Sequence, residues 1–266
     1  MNALFQLSFL PALLIPLLLI IFRVTGVFLF LPVYTAVGLP AQVKVLLAVV
    51  ISCCLWSSIP HMPRLPESLG GMALAAAGET SVGVLMGLLC SMVFTALRLA
   101  ANLLGQQMGL ALPSVYDPQF QQQSTSLEQM ANWIGVLVFL GLGGQQQLVA
   151  ALAYSYRDVP MGHAISPAFA VAALVGALQA GCLLSINIAA PALAAFFLSL
   201  ATMAVVSKSV AQINLMIISM PINLLIGLGV VMLGLSGWAV AGQSAWNGFF
   251  LRLAHMSLPP ARMNHG

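Results

Sequence analysis

The long stretches without charge limit the fold of this 266-residue chain more than any other feature. Two of them, Val159–Ser207 and Ser209–Leu251, each exceed the roughly 20 apolar residues that a helix needs to cross a bilayer core. Only 5% of the residues are charged, which is too few to cover a soluble domain with a solvated surface. The sequence therefore predicts an all-α, polytopic membrane protein.

Prolines, glycines and polar clusters divide the apolar runs into helices. The N-terminal apolar stretch has no basic residue before it and no small-residue cleavage site before Arg23, so we expect a first helix rather than a cleaved signal. Loops are predicted at 31–40, 59–68, 155–167 and 207–214, and a kink at Pro191. The predicted helices are 5–30, 41–56, 69–112, 127–154, 168–206 and 215–240.

Signatures of catalysis and of metal binding are missing from the sequence. It contains no H-E-x-x-H, no phosphate-binding Walker loop and no G-x-S-x-G. The four histidines lie far apart in predicted loops or the tail, and the five acidic residues are equally dispersed. The net charge of +3 comes from scattered basic residues that form no patch, which argues against nucleic acid. We therefore expect no enzyme, cofactor or metal site.

Two charges, Glu79 and Arg98, lie inside long apolar helices, where a charge costs about 2.5–3.5 kcal/mol on insertion scales. Three interpretations stay open. Each could form an ion pair or lie near the interface, each could face a polar interior or a partner subunit, or Glu79 could belong to a proton relay.

The segment Gly105–Met130 interrupts the apolar pattern with seven glutamines and two prolines. Pro113 and Pro118 prevent a continuous helix. Irregular backbone facing lipid would leave polar groups unpaired, so the segment lies outside the membrane or lines an enclosed aqueous cavity. A plain extramembrane loop is one interpretation. The neutral glutamine, glycine, methionine and serine side chains also suit a channel constriction that must seal and then yield.

Four stretches resemble the FliR (SctT) family of export-gate subunits in flagellar type III secretion, which has injectisome counterparts. Arg23–Lys44 is similar to the N-terminal signature of that family, and Gly105–Pro118 to its Q-M-G…D-P motif. Ser155–Gly162 is similar to its S-[FY]-x-x-x-P-x-G motif. Ser207–Pro221 is similar to its R-x-x-P-Q-x-N…P segment through Gln212, Asn214 and Pro221. The resemblance spans about residues 23–229.

The chain departs from the family pattern in three places. Lys208 stands where the family usually has arginine, Ala211 replaces a proline, and Gln145 and Gln146 stand where histidines are common. The last change removes any pH-sensing role for that position.

The resemblance implies a non-enzymatic component of the type III export gate in the bacterial inner membrane, at the flagellar basal body. FliP-like and FliQ-like subunits would join it in a helical hetero-oligomeric pore. FlhB-like and FlhA-like export proteins, membrane lipid and, transiently, unfolded exported proteins would be its other partners. The intact Q-M-G…D-P motif favours the flagellar system over an injectisome.

The resemblance also implies an organisation and candidate residues. Residues 1–240 would form one helical export-gate domain, with a FliP-like part over 1–167 and a FliQ-like hairpin over 168–240, followed by a tail over 241–266. The implied subunit contacts are Arg23, Lys44, Arg98, Lys208, Gln212 and Asn214. The implied pore plug contains Gln106, Gln107, Met108, Gly109, Leu110, Pro113, Tyr116, Asp117, Pro118 and Phe120.

Two other classes of protein remain as alternatives. A small-solute secondary permease would be built from related halves with broken helices around a polar site, and the two halves of this chain look unlike each other. An intramembrane hydrolase would need Ser–His pairs at membrane depth, whereas every histidine lies outside the predicted spans.

Overall fold

The computed structural model describes residues 2–31, 40–57, 59, 68–110, 126–209 and 215–255. Helices account for nearly all of these residues, and the described part contains no strand. The predicted all-α fold of a polytopic membrane protein is confirmed. In chain order the helices are α1 Asn2–Phe30, α2 Ala41–Trp56, α3 Leu69–Gln107, α4 Ser126–Gly141, α5 Gly144–Asp158, α6 Pro167–Ser209 and α7 Leu215–His255.

The bounds of α2 match the prediction from the sequence, but the predicted helix over 127–154 is wrong in one respect. It is divided into α4 and α5 by a turn at Leu142 and Gly143. Gly143 has a φ of 67°, in the left-handed region that side chains with a Cβ avoid. Gly143, the first residue of the polar GGQQQ sequence, therefore separates the two helices, and Gly144–Gln147 begin α5.

The ends of α3, α5, α6 and α7 also differ from the prediction, that of α6 by only three residues, at Ser209. The described part of α3 ends at Gln107, with a turn over Met108–Leu110. Helix α5 continues to Asp158, which shortens the predicted loop to Val159–Ser166. Helix α7 extends beyond 240 to His255. Helices α5 and α7 continue because apolar or helix-forming residues follow the predicted ends, and no proline or turn sequence stops them there.

Two described helices, α3 and α6, are long and apolar enough to cross a membrane. Helices α4 and α5 meet the same requirement only when they are counted together as one span. Helix α6 continues through Pro191, and the kink predicted there remains a prediction. Its large apolar side chains are mostly exposed, whereas most of the apolar part of α3 is buried within the chain.

The chain forms two compact units, and several helices contribute to both. Unit 1 comprises Met1–Met92, Gly143–Ala177 and Asn247–Gly266. Unit 2 comprises Val93–Leu142 and Leu178–Trp246.

Unit 2 has an apolar core built from small and large side chains. Ala100 and Ala101 of α3, Ala131 of α4 and Ala189 of α6 are almost completely buried and allow the helices to approach closely. Three rings also meet in this unit. The ring centroids of Phe94 and Trp246 are 5.0 Å apart, and those of Phe139 and Trp246 are 4.7 Å apart. Such tilted ring pairs stabilise a core beyond the area that they bury.

Candidate functional site

The interior of unit 1 contains an ion pair between Arg23 of α1 and Glu79 of α3. Arg23 Nε donates to Glu79 Oε2 over 2.6 Å, and both side chains are fully buried. The guanidinium also donates to Ser155 Oγ over 2.9 Å and to the carbonyl oxygen of Val159 over 3.1 Å. Its carbon lies 3.9 Å from the centroid of the Tyr156 ring. One arginine therefore joins α1 to α3, to α5 and to the loop after α5.

Glu79 binds the same loop through its second oxygen. Glu79 Oε1 accepts a hydrogen bond of 2.8 Å from the backbone N–H of Gly162. Gly162 has a φ of 82°, so the turn that presents this N–H favours glycine. We call Arg23, Glu79, Ser155, Tyr156, Val159 and Gly162 the Arg23 cluster. Because both charges have several partners, the cluster meets the condition under which a buried ion pair is tolerated.

Glycines bring α1 and α3 close enough for this pairing. A Cβ on Gly26 would lie 2.8 Å from the carbonyl oxygen of Thr80, and one on Gly87 would lie 2.6 Å from that of Val27. A Cβ on Gly83 would overlap the carbonyl oxygen of Arg23 itself. The two backbones are therefore in contact, as in the small-residue crossings of membrane helices. The crossing fixes the position of Arg23 along α3.

The Q-M-G sequence lies at the end of α3, in unit 2, where it forms the turn that ends the helix. The N–H of Leu110 donates to the carbonyl oxygen of Gly105 over 3.0 Å, and that of Gly109 donates to Gln106 over 3.1 Å. Gly109 has a φ of 78°. These bonds and the left-handed glycine form a Schellman motif, which ends a helix by satisfying its last carbonyl groups. The chain leaves α3 at a defined turn.

Met108 anchors this turn in the core of unit 2. Its side chain is 3% exposed and covers Gly227 of α7 so closely that a Cβ there would overlap the methionine side chain. Leu110 packs against the same core, whereas Gln106 and Gln107 are exposed. We call Gln106, Gln107, Met108, Gly109 and Leu110 the plug root, because the remaining predicted plug residues follow it in the sequence.

The other residues predicted as subunit contacts or as part of the pore plug do not form one site in the described structure. Arg23 is fully buried inside unit 1, where it bonds to Glu79, Ser155 and Val159. Its predicted contact with another subunit stays a prediction. Lys44 is half-buried, and Arg98 and Lys208 are exposed. Pro113, Tyr116, Asp117, Pro118, Phe120, Gln212 and Asn214 lie outside the described residues.

The partner of Glu79 is not evident from the sequence. Arg98, the other charge singled out in a long apolar helix, is exposed and donates to Thr95 Oγ1 over 3.3 Å. Glu79 pairs with Arg23, which lies 56 residues away in the sequence. One feature of the sequence could have indicated this pair: two isolated charges of opposite sign lie in apolar helices, and glycines lie near each of them. The S-[FY]-x-x-x-P-x-G motif did point to Ser155, Tyr156 and Gly162, but the motif alone does not indicate that Arg23 and Glu79 are their partners.

The described part of the chain offers no alternative centre for metal chemistry. Within ranges 2–31, 40–57, 59, 68–110, 126–209 and 215–255, no three histidine, cysteine, aspartate or glutamate side chains come close enough to hold a metal ion.

Comparisons with known proteins agree with the sequence motifs. The flagellar biosynthetic protein FliR of Aquifex aeolicus is 25% identical over 237 residues, covering 89% of this chain and 92% of that protein. The protein of the same name from Bacillus subtilis is 25% identical over 211 residues, covering 78% of this chain and 81% of its own length. That of Escherichia coli K12 is 25% identical over 212 residues, covering 79% and 80%.

The family comparison covers nearly the whole chain. Residues 14–248 match the family described as "Bacterial export proteins, family 1", which includes the Arg23 cluster, the plug root and both long apolar helices. The chain therefore belongs to family 1 of the bacterial export proteins.

Proposed function

We propose that this protein is a subunit of the flagellar type III export gate and forms a gated pore with FliP-like and FliQ-like subunits. The match to proteins named flagellar biosynthetic protein FliR supports a role in flagellar biosynthesis. The pore lies in the inner membrane at the flagellar basal body, and unfolded export substrates pass through it. The chain acts as a structural channel component with FlhA-like and FlhB-like neighbours, without cofactor or catalysis.

The exposed apolar surface supports an assembly with other subunits. Helix α6 is apolar but only slightly buried within the chain, and Leu183 and Phe197 on it are exposed by 63% and 71%. Such surface requires lipid or protein contacts. In the proposed pore it packs against related helices, with Lys44, Arg98, Lys208, Gln212 and Asn214 contributing polar contacts. The division into a FliP-like part over 1–167 and a FliQ-like hairpin over 168–240 belongs to the same proposal.

The plug root carries the proposed gating mechanism. The Schellman turn at Gly109 and the burial of Met108 against Gly227 hold the start of the glutamine-rich segment on a packed support. The segment that follows closes the pore, through Pro113, Tyr116, Asp117, Pro118 and Phe120 together with the root. Its neutral polar side chains exchange hydrogen bonds with a passing chain without holding it by charge.

A permeability assay tests the plug. Shortening the segment by removing 119–123 should leave the assembly intact and make the cell membrane leak ions or small solutes. Substituting Gln145 and Gln146 of α5 by alanine removes exposed glutamines elsewhere and should cause no leak. Normal permeability of the shortened variant, in membranes where the complex assembles fully, would contradict a plug at this segment.

A matched pair of substitutions tests the anchoring of the root. Gly227→Leu places a side chain where Met108 lies, whereas a Cβ at Gly229, two residues later, meets nothing within 4 Å. We expect Gly227→Leu to increase the leak and Gly229→Leu to leave it unchanged. Equal leaks from the two variants would show that the contact between Met108 and Gly227 does not control closure.

A further inference from the structure

An open cavity of about 400 Å³ lies in unit 1, between α3, α5, the loop Val159–Ser166 and the first turn of α6. Apolar side chains form most of its wall, among them Met86 of α3, Ala151 of α5 and Phe169 of α6. A cavity of this size has room for a small ligand or for a long side chain of another protein. The polar atoms of its lining decide which of these it accepts.

The side-chain atoms of the lining that are free to bind a ligand are mostly acceptors. Asp158 makes no hydrogen bond or salt bridge in the described part of the chain, so both of its carboxylate oxygens are available. His163 Nδ1 lies 3.3 Å from the carbonyl oxygen of Met161, which can only accept, so Nε2 of the neutral ring is left as an acceptor. Ser155 Oγ is already engaged, since it accepts from Arg23 and donates to a backbone carbonyl oxygen. A ligand with a positive charge and several donors fits these atoms best.

The described part of the chain supplies no cation for Asp158. Arg157 precedes it on α5, but the guanidinium carbon of Arg157 lies 5.4 Å from the centroid of the Tyr154 ring and forms no salt bridge with Asp158. Arg23, the other guanidinium close to this loop, is paired with Glu79. Asp158 is half-buried, and a carboxylate that has lost part of its water without gaining a counter-charge is stabilised by a cation from outside the chain.

The cavity adjoins the surface that the proposed assembly covers. Phe169 belongs both to the cavity wall and to the exposed apolar face of α6, where its side chain is 41% exposed and that of Val171 is 63% exposed. Because this face packs against neighbouring subunits in the proposed pore, side chains of a neighbour lie within reach of the cavity. A lipid headgroup would need the same face to be free of protein.

We propose that the cavity receives an arginine or lysine side chain of a neighbouring subunit, with its cationic group at Asp158 and its aliphatic stem against Met86, Ala151 and Phe169. Long basic side chains meet both requirements, because an apolar stem carries the charged group. The contact rests on the proposed function, since it needs a neighbouring subunit on α6. It adds a charged, directional contact to an otherwise apolar interface and so fixes the register of the neighbour.

Photo-crosslinking in the assembled complex tests the contact. The photoreactive amino acid p-benzoylphenylalanine replaces Phe169 at the cavity wall, in the full-length chain co-expressed with FliP-like and FliQ-like subunits. We expect a cross-link to a neighbouring subunit close to an arginine or lysine, located by mass spectrometry of the cross-linked peptide. The same probe in place of Phe197, which is exposed on α6 outside the cavity lining, is the control for assembly.

Variants of the cavity separate the effect of charge from that of shape. Asp158→Asn should lower the cross-link yield at position 169 by about tenfold, the factor that one charge-assisted hydrogen bond contributes, and leave the yield at position 197 unchanged. Asp158→Glu keeps the carboxylate and should retain most of the yield at position 169. Ala151→Leu fills part of the cavity and should lower the yield at position 169 alone.

The two probe positions distinguish failure of this contact from failure of the proposed assembly. A cross-link to a neighbour at position 197 without one at position 169, or a yield at position 169 that Asp158→Asn leaves unchanged, would overturn the contact and leave the assembly intact. A cross-link from position 169 only to lipid, or only to the tail of the same chain, would overturn it as well. Loss of the cross-links at both positions would contradict the assembly itself, and the contact with it.

Discussion

Unit 1 has charged side chains at its centre, whereas unit 2 has aromatic and aliphatic ones. In unit 1 the helix crossing is fixed by Arg23, Glu79 and a glycine contact between backbones. In unit 2 Phe94, Phe139 and Trp246 pack with their rings tilted, and alanines bring the helices together. Directional bonds specify one register, because a shift along the helix would leave a charge unpaired. Apolar packing tolerates small adjustments better, so the two units should respond differently to conservative substitutions.

The largest effect is expected for Glu79→Gln, which keeps the shape of the side chain and removes its charge. Arg23 would remain buried without its ion-pair partner, which costs about 3–5 kcal/mol in the free energy of unfolding. The measurement is denaturation of the purified complex in mild detergent. The double variant Arg23→Met with Glu79→Leu should regain much of this loss, because a well-packed apolar pair replaces the buried charges. A double variant as unstable as the single one would show that the hydrogen bonds to the loop, rather than the charge balance, dominate.

A smaller loss is expected for Gly83→Ala. The added methyl group would overlap the carbonyl oxygen of Arg23, so α1 and α3 must separate, and overpacking of this kind costs about 1–3 kcal/mol. Gly70→Ala on the same helix is the matched control, since a Cβ there meets nothing within 4 Å. The same denaturation assay compares the two. Equal stabilities would contradict a backbone contact at Gly83.

The smallest loss is expected in the aromatic core. Phe139→Leu keeps an apolar side chain but removes the ring contacts with Phe94 and Trp246, which should cost at most about 1.5 kcal/mol. Leu137→Ala, at a side chain that is 67% exposed, serves as the control and should change stability by no more than about 0.5 kcal/mol. If Phe139→Leu destabilised the protein as much as Glu79→Gln, the contrast between the two units would be lost.

The sequence predicted the helical membrane fold well, because uncharged runs and prolines report directly on helix length. The bounds of α2 follow from Pro40 and from the polar residues after Trp56. The break between α4 and α5 was missed because a pair of glycines can lie within a helix or interrupt it, and the conformation of Gly143 decides which. The extension of α7 was missed because Gln243 and Ser244 resemble the start of a polar tail.

The candidate sites were less accessible to prediction. The segment containing Met108 and Gly109 stood out through its composition, yet its anchor, Gly227, is more than a hundred residues away in an ordinary apolar run. The Arg23 cluster joins residues separated by 56 to 136 positions, so no local pattern shows which charges pair.

The most direct measurement of the proposed function is a native mass spectrum of this chain co-expressed with FliP-like and FliQ-like proteins and purified in mild detergent. A subunit of the export gate should appear in one discrete hetero-complex with both neighbours. A stable monomer or homodimer, unchanged by the presence of those proteins, would contradict the proposed gate and favour a permease.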